Sequence, residues 1–305
     1  MSAILLKAGG FLFIIFIGYV LKRIGVFSVD DSQFLTKLIM RVTLPSAIFS
    51  GFKGLHINKT LLFVTAIGLV LNGIMIGVAL VVARKKKPSE KAFFMINTSS
   101  YNIGNFTIPF TQAFFPPEAL AVVCMFDVGN AFMCLGMTFA LASCVASGES
   151  GFNFKRIGKT LVSSTPFMTH ITMLTLCSLQ IYLPDGVYTV VGMVGSANSF
   201  LAMLLIGILF AVHMKPEHAR NIGEILFLRV LFSVIFAPVI YYVLPLPLLI
   251  RQILVIVVFS PILSVAPVFS ERCGYDKSVA AVLNSLAIPI SMVAMTTLLI
   301  IFNIS

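Results

Sequence analysis

Charged residues are scarce in this sequence: they make up 10% of its 305 residues, while 59% are hydrophobic. A soluble domain carries roughly a quarter charged residues. A chain of this composition has enough apolar residues for a large core, but almost none left for a hydrated surface. The composition therefore excludes an ordinary soluble protein and indicates an integral membrane protein.

Several catalytic and metal-binding patterns are also missing. The sequence has no Walker-A loop, which argues against ATP-driven transport by this chain alone. It has no HExxH motif, no cluster with metal-ligand spacing and no pair of buried carboxylates for acid–base chemistry. The five cysteines form no CxxC pair, and four lie within apolar runs, as small core residues do. We therefore expect no enzyme, no metal site and no cofactor.

The hydrophobic residues lie in ten long runs. Apolar stretches of about 18 or more residues cross a bilayer core about 30 Å thick as helices. The runs are 4–21, 34–52, 61–83, 92–115, 119–145, 157–183, 187–212, 224–244, 249–270 and 278–303. Their short connections leave no room for a soluble domain. The sequence predicts an all-α polytopic protein with ten transmembrane helices, in which residues 1–305 form a single membrane domain.

Basic residues alternate between rich and poor loops. A net charge of +10 is typical of nucleic-acid binding, but these charges lie in short loops rather than on one face, so no nucleic-acid partner is expected. The loops rich in Lys and Arg are those near 22–23, 84–91, 155–159, 215–220 and 272–277. The positive-inside rule makes these loops cytoplasmic. Ten spans in a plasma (inner) membrane then put both termini outside.

The chain divides into two halves of five spans each, about 1–145 and about 155–305. A polar stretch at 147–151, Ser-Gly-Glu-Ser-Gly, separates them. An odd number of spans gives the two halves opposite orientations, so we expect an inverted repeat. Inverted repeats are a common construction of transporters.

The fourth span carries a crowded polar stretch from Asn97 to Pro109. Gly104 and Pro109 weaken the helix there, because proline removes a backbone donor and clashes with the preceding turn. In hydrocarbon, an interrupted helix persists only inside protein or beside a water-filled cavity. A proline kink held by amide contacts to a neighbouring helix is the alternative interpretation.

The ninth span has the matching feature in the second half. Pro261 lies ten residues from both Arg251 and Glu271, and therefore near mid-bilayer at about 1.5 Å per residue. Interrupted helices at corresponding positions of two halves mark transport sites. The new helix N-terminus suits an anion and the new C-terminus suits a cation, so the pattern predicts an ionic or polar ligand of either sign.

Asp127 is the acidic residue that lies deep in a span, and Asn130 shares its helix face three residues on. An intramembrane carboxylate is costly and is a functional hypothesis by default. These two residues are candidates for proton or sodium coupling; a carboxylate that only holds helices together is the alternative. His170, in the sixth span, titrates near neutral pH or serves as a helix-contact residue.

Four motifs in order carry a family resemblance. They are GYVLKRIGV at 18–26, VTLPSAIF at 42–49, Asn102-Ile103-Gly104 with Pro109, and Pro261 followed ten residues later by Glu271-Arg272-Cys273-Gly274. With these motifs the chain resembles the auxin efflux carrier family of permeases, in its bacterial form. It departs from the family pattern at Thr107 and Asn105, which bears on the substrate rather than the fold.

The resemblance implies a bile-acid-symporter/NhaA-like fold in which the broken fourth and ninth helices cross. It further implies transport of small organic anions such as auxin, malonate or malate, elevator-type alternating access, and a homodimer. It places Asn102, Pro109 and Pro261 near the substrate. Together with the polar residues around them, the candidate substrate-binding residues are Asn102, Asn105, Thr107, Pro109, Ser260, Pro261 and Ser264.

Three functions stay open on these grounds. The first is a secondary or facilitative carrier of a small organic acid, with H+ or Na+ as the coupling ion. The second is a sodium-coupled carrier of another solute on the same fold, and the third is a membrane receptor that moves nothing. No Arg or Lys is expected to clamp a carboxylate, since Lys37 and Arg41 lie towards the cytoplasmic end of the second span. Half-helix amides and Asn side chains are expected to recognise an anion.

Overall fold

The computed structural model describes residues 2–148, 154–211 and 216–304. Within these ranges the chain is helical and contains no strand, which confirms the all-α prediction. The α-helices are α1 Ser2–Arg23, α2 Val29–Leu38, α3 Leu44–Gly51, α4 Lys59–Val82, α5 Pro88–Ser99, α6 Ile108–Phe114, α7 Pro117–Ala131, α8 Phe139–Ser147, α9 Phe154–Ser163, α10 Thr165–Ser178, α11 Asp185–Leu209, α12 Ala219–Pro238, α13 Leu248–Val257, α14 Ala266–Arg272 and α15 Lys277–Ile301. Most of the 147–151 separator and Lys215 of a basic loop lie outside the described residues.

Six helical stretches are long and apolar enough to cross a membrane: Ile4–Arg23, Lys59–Val82, Pro117–Ser147, Asp185–Leu209, Pro216–Val243 and Lys277–Ile301. They coincide with six of the predicted runs and make the chain a multi-pass membrane protein. The other four runs, 34–52, 92–115, 157–183 and 249–270, are each built from two shorter α-helices. In the sixth run, Ser164 caps a new helix by accepting a hydrogen bond from the Phe167 backbone N–H.

Two prolines follow π-helical turns. The turn Ile39–Thr43 precedes Pro45, and the turn Ile103–Thr107 precedes Pro109. Each proline lacks an N–H and crowds the carbonyl four residues earlier. A locally wider turn relieves that crowding, and such π-turns often occur at functional sites.

Helices α1, α3 and α11 pack at backbone distance through glycine. A Cβ at Gly207 of α11 would collide with the Ile15 carbonyl oxygen of α1, and one at Gly18 of α1 would collide with Leu204 of α11. A Cβ at Gly195 would lie 2.9 Å from the Ala47 backbone nitrogen of α3. These three helices therefore form one closely joined group.

A second close contact joins α4 to α7. A Cβ at Gly68 of α4 would lie 2.6 Å from the Phe126 carbonyl oxygen, and one at Gly129 of α7 would collide with the Thr65 carbonyl. Helices α5 and α8 pack beside this pair. The two glycine-joined groups frame the centre of the molecule, where the interrupted helices meet.

Candidate functional site

The two interruptions lie side by side. Residues 100–102 leave the helical conformation after α5, and residues 258–265 do so between α13 and α14. Tyr101 and Ile262 form an antiparallel β-bridge, and the Asn102 backbone N–H donates to the Pro261 carbonyl oxygen at 2.9 Å. Each unwound segment thus supplies backbone partners to the other, as a break inside an apolar bundle requires. We call these two segments the crossover.

Side chains reinforce the crossover. The Nδ2 groups of Asn102 and Asn105 both donate to Ser264 Oγ, at 2.8 and 3.3 Å. Because Ser264 accepts two hydrogen bonds, its own hydroxyl hydrogen is available for a further acceptor. Thr107 and Ser260 pair through their hydroxyl groups at 2.6 Å and are fully enclosed.

Arg229 of α12 lies against the crossover, although it is only 7% exposed. Its Nη1 donates to the carbonyl oxygens of Thr98 at 2.9 Å and Ser100 at 3.0 Å, and its Nη2 donates to the Ser260 carbonyl at 2.7 Å. The guanidinium also lies 5.3 Å from the centre of the Tyr101 ring. Within the described ranges, no carboxylate forms an ion pair with it. The guanidinium of Arg229 therefore binds the carbonyl oxygens at the C-terminal ends of the interrupted helices. This is the position that the sequence pattern predicts to suit a cation.

A buried polar chain leads from the crossover to Asp127. Asn130 Nδ2 donates to both the Tyr101 carbonyl oxygen, at 3.1 Å, and Asp127 Oδ1, at 2.9 Å. Asn72 Nδ2 of α4 donates to Asn130 Oδ1 at 3.3 Å. The other carboxylate oxygen, Asp127 Oδ2, lies 3.1 Å from His170 Nε2 of α10. The i, i+3 spacing of Asp127 and Asn130 thus places them in direct contact.

A cavity of about 60 Å³ lies between the crossover, α7, the start of α10 and the Met40–Leu44 segment. That volume has room for a few water molecules. Of the predicted residues, those that line it are Asn102, Asn105, Ser264, Asp127 and Asn130. Thr107, Pro109, Ser260 and Pro261 are not among its lining residues. His170 also lines it, and Asp127 is its one formally charged wall residue within the described chain.

Two further cavities flank this central one. A cavity of about 60 Å³ on the other side of the crossover is lined by Arg229, Ser233, Ser260 and Ser291. A larger one of about 420 Å³ lies between α8, α9 and the end of α14. It includes Arg272 and shares Leu135 with the central cavity. Leu135 therefore borders both cavities.

Arg229 and His170 are the residues whose positions the sequence did not indicate. Arg229 stands inside the eighth apolar run, and an intramembrane ionisable residue is a functional candidate by default. That signal is present in the sequence, but Arg229 is not among the predicted site residues, and its partners are backbone carbonyl groups rather than a carboxylate. For His170, no sequence spacing links it to Asp127, 43 positions away.

Membrane-length helices around a buried polar centre with two interrupted helices define a membrane transport protein. Residues 10–155 match the model of the family described as "Membrane transport protein". The chain is also similar to a protein of Methanothermobacter thermautotrophicus named "Uncharacterized transporter", with 25% identity over 240 residues that cover 76% of each chain. The matched stretch, a little under half of the chain, is similar to this membrane transport family, which is that of the auxin efflux carriers. The family resemblance seen in the sequence is thereby confirmed; it is a family of transporters, not of enzymes.

Proposed function

We propose that this chain is a secondary or facilitative carrier of a small organic anion, a carboxylate of the auxin, malonate or malate kind. The observation that carries the proposal is the polar cavity at the meeting point of two interrupted helices. Ile103, Gly104 and Asn105 line that cavity and begin a helical segment that runs to Phe114. The first N–H groups of a helix have no acceptor within the helix. Together with the Ser264 hydroxyl, they offer donors to a carboxylate.

We further propose ten spans arranged as two inverted repeats, 1–145 and 155–305. The four apolar runs that are helical in pieces then complete the six long helices. The equivalent breaks after α5 and α13 support the repeat, since each lies in the fourth span of its half.

We also propose elevator-type alternating access on this architecture. The glycine-joined group of α1, α3 and α11 is the static part in this proposal, and the group with α4 and α7 carries the crossover. We expect a homodimer to anchor the static part, as the family resemblance implies.

The proposed orientation puts the basic loops in the cytoplasm and both termini outside a plasma (inner) membrane. Contacts between loops support it. Lys86 bonds to Asn221 Oδ1 at 2.7 Å, and Asn221 Nδ2 donates to Tyr275 Oη at 3.0 Å, so three basic loops lie on one side. Two of the loops that are poor in basic residues also contact each other, through an ion pair between Lys53 and Asp185 at 2.9 Å. This grouping is the one that the positive-inside rule requires.

The sodium-coupled alternative is disfavoured by Arg229. A sodium ion at the crossover would need carbonyl oxygens, and the guanidinium already bonds to those of Thr98, Ser100 and Ser260. Asp127 and Asn130 remain the proposed coupling residues, with a proton as the favoured ion.

Uptake into proteoliposomes tests the proposal. Radiolabelled malonate, malate and indole-3-acetate are each presented with and without a proton or sodium gradient. Saturable uptake of one acid supports a carrier and names its substrate class, and the gradient that drives it names the coupling ion. Ligand binding without uptake would support the receptor interpretation instead. Failure of all three acids to bind or enter, with folded protein, would contradict an organic-anion carrier.

A further inference from the structure

We propose that Asp127 and His170 together form a proton-binding site, so that the organic anion enters the central cavity with one proton. The inference rests on the proposed function and goes beyond it by assigning the partner of Asp127 and the stoichiometry. It begins from a contact between two buried side chains: His170 is 0% and Asp127 is 7% exposed, and their Nε2 and Oδ2 atoms lie 3.1 Å apart.

The second polar atom of Asp127 has a hydrogen-bond partner, whereas the second ring nitrogen of His170 has none in the described chain. Asp127 Oδ1 accepts from Asn130, whereas His170 Nδ1 is buried with no hydrogen-bond partner in the described chain. When the imidazole is neutral, Nε2–H donates to the carboxylate and Nδ1 is a bare acceptor. When it is protonated, Nδ1 gains an N–H that no described side chain receives. Both residues line the central cavity, so an acceptor in that cavity can satisfy the new donor.

The other titratable groups around the pair leave its charge uncompensated. Cys124 lies on the same helix, Cys134 follows it, and Tyr101 belongs to the crossover; thiols and phenols are neutral near pH 7. Arg229 faces Tyr101 from the far side of the crossover and bonds to carbonyl groups. Cys177 shares α10 with His170. With a neutral imidazole, the cavity wall therefore carries a single negative charge.

That charge opposes an anionic ligand until the pair takes up a proton. The proton resides on the carboxylate or on the imidazole, which share it across their 3.1 Å contact. In either form the pair is neutral, and a carboxylate no longer meets a like charge. Asn130 Nδ2 donates both to Asp127 Oδ1 and to the Tyr101 carbonyl oxygen. Asn130 therefore links the protonation state of the Asp127–His170 pair to the crossover backbone.

The proposal gives a quantitative expectation. If one proton must bind before one anion, the apparent affinity for the anion falls about tenfold per pH unit above the apparent pKa of the pair. By the same linkage, binding of the anion takes up one proton from the buffer.

Calorimetric titration of the full-length protein measures both quantities. Malonate, malate and indole-3-acetate are titrated between pH 5.5 and 8, in sodium-free buffers of different ionisation enthalpy. We expect about one proton taken up per anion bound. Asp127→Asn should bind the anion with no pH dependence and no proton uptake, because it imitates the neutral pair. His170→Gln should move the pH dependence to lower pH, since the carboxylate alone must then be protonated.

The control is His56→Gln, which removes an exposed imidazole in a loop and should leave the slope unchanged. Anion binding without proton uptake by the wild type, or an Asp127→Asn variant that keeps the wild-type slope, would overturn the proton site and leave the carrier proposal standing. Absence of both binding and uptake for all three acids would overturn the carrier proposal, and the proton site with it.

Discussion

Arg229 Nη2 donates to the carbonyl oxygen of Ser260 at 2.7 Å and so joins helix α12 to the break that follows α13. The same guanidinium bonds to the Thr98 and Ser100 carbonyls at the end of α5. One buried side chain therefore connects both interruptions. Its positive charge also compensates the negative end of the α5 helix dipole.

We expect Arg229→Ala to lower the free energy of unfolding by about 3 kcal/mol, because the substitution leaves buried carbonyl groups without donors. Thermal unfolding of detergent-solubilised protein, followed by size-exclusion chromatography, measures the change. The matched control is Arg220→Ala on the same helix, whose side chain is 86% exposed and should cost little. Equal melting temperatures for the two variants would contradict the structural role of Arg229.

The same variant tests whether Arg229 takes the place of a cation. In Arg229→Ala the three carbonyl oxygens lose their guanidinium donor. A sodium salt should therefore raise the melting temperature of the variant more than a potassium salt does at equal ionic strength. The wild-type melting temperature should be the same in both salts. A clear sodium effect on the wild type would return the sodium-coupled alternative to favour.

Ser264→Ala removes the hydroxyl that receives both Asn102 and Asn105 and that faces the central cavity. We expect KM for the transported acid to rise about tenfold, since a hydrogen bond to a charged group contributes about 1.5–3 kcal/mol.

Asn102→Ala and Pro261→Ala should abolish uptake while the protein still folds and inserts. Ser196→Ala, at an exposed position of α11, serves as the control for uptake in proteoliposomes. Normal uptake by all three variants would remove the crossover from consideration as the substrate site.

Gly129→Ala should destabilise the protein by about 1–3 kcal/mol, because the added Cβ collides with the Thr65 carbonyl and forces α4 and α7 apart. Gly77→Ala on α4 is the matched control, as no atom lies within 4 Å of its added Cβ. That control should be neutral or slightly stabilising, since alanine favours helix over glycine. The two melting temperatures decide between close packing and a general effect of alanine.

Acid should weaken the contact between the loops on the basic side. The hydrogen bond from the Asn221 side chain lowers the pKa of Glu90, and the Lys87 backbone adds to the effect against a partial desolvation that raises it. A lowered folded-state pKa means that the stabilisation is present above the ordinary glutamate pKa of about 4.3 and is lost as the pH falls through the folded value. Glu90→Gln should therefore show a smaller loss of melting temperature on acidification than the wild type. Glu118→Gln, at the exposed start of α7, should follow the wild type.

The sequence located the two breaks because Asn, Gly and Pro act through local backbone chemistry. Asn102 and Pro261 lie where that chemistry predicts, and they contact each other. The direction in which a helix turns its side chains is set by packing and is not readable from an apolar run. For that reason Arg229, inside an apolar α12, was overlooked. Packing likewise places Thr107, the last residue of the π-turn, and Pro109 beyond it away from the lining of the central cavity.

The Asp127–His170 contact shows a second limit. Neither residue carries a motif, and their pairing depends on how α7 packs against α10 across the two halves of the chain. The close contacts at Gly129 and Gly207 were equally absent from the sequence pattern, since the partner carbonyl lies on another helix. Local signals thus revealed the breaks, and tertiary packing determined which polar groups surround them.

Leu135 borders both the larger cavity and the central one, so a change in its side-chain rotamer is expected to connect them. Rotamer changes of accessible side chains take picoseconds to nanoseconds, whereas relative motion of helix groups takes microseconds to milliseconds. Hydration of the central cavity through Leu135 is therefore expected to equilibrate many times within one transport cycle. Water and protons would reach Asp127 and His170 long before the helix groups rearrange. Proton binding would therefore be at equilibrium throughout the cycle, and the helix rearrangement would limit the rate of anion transport.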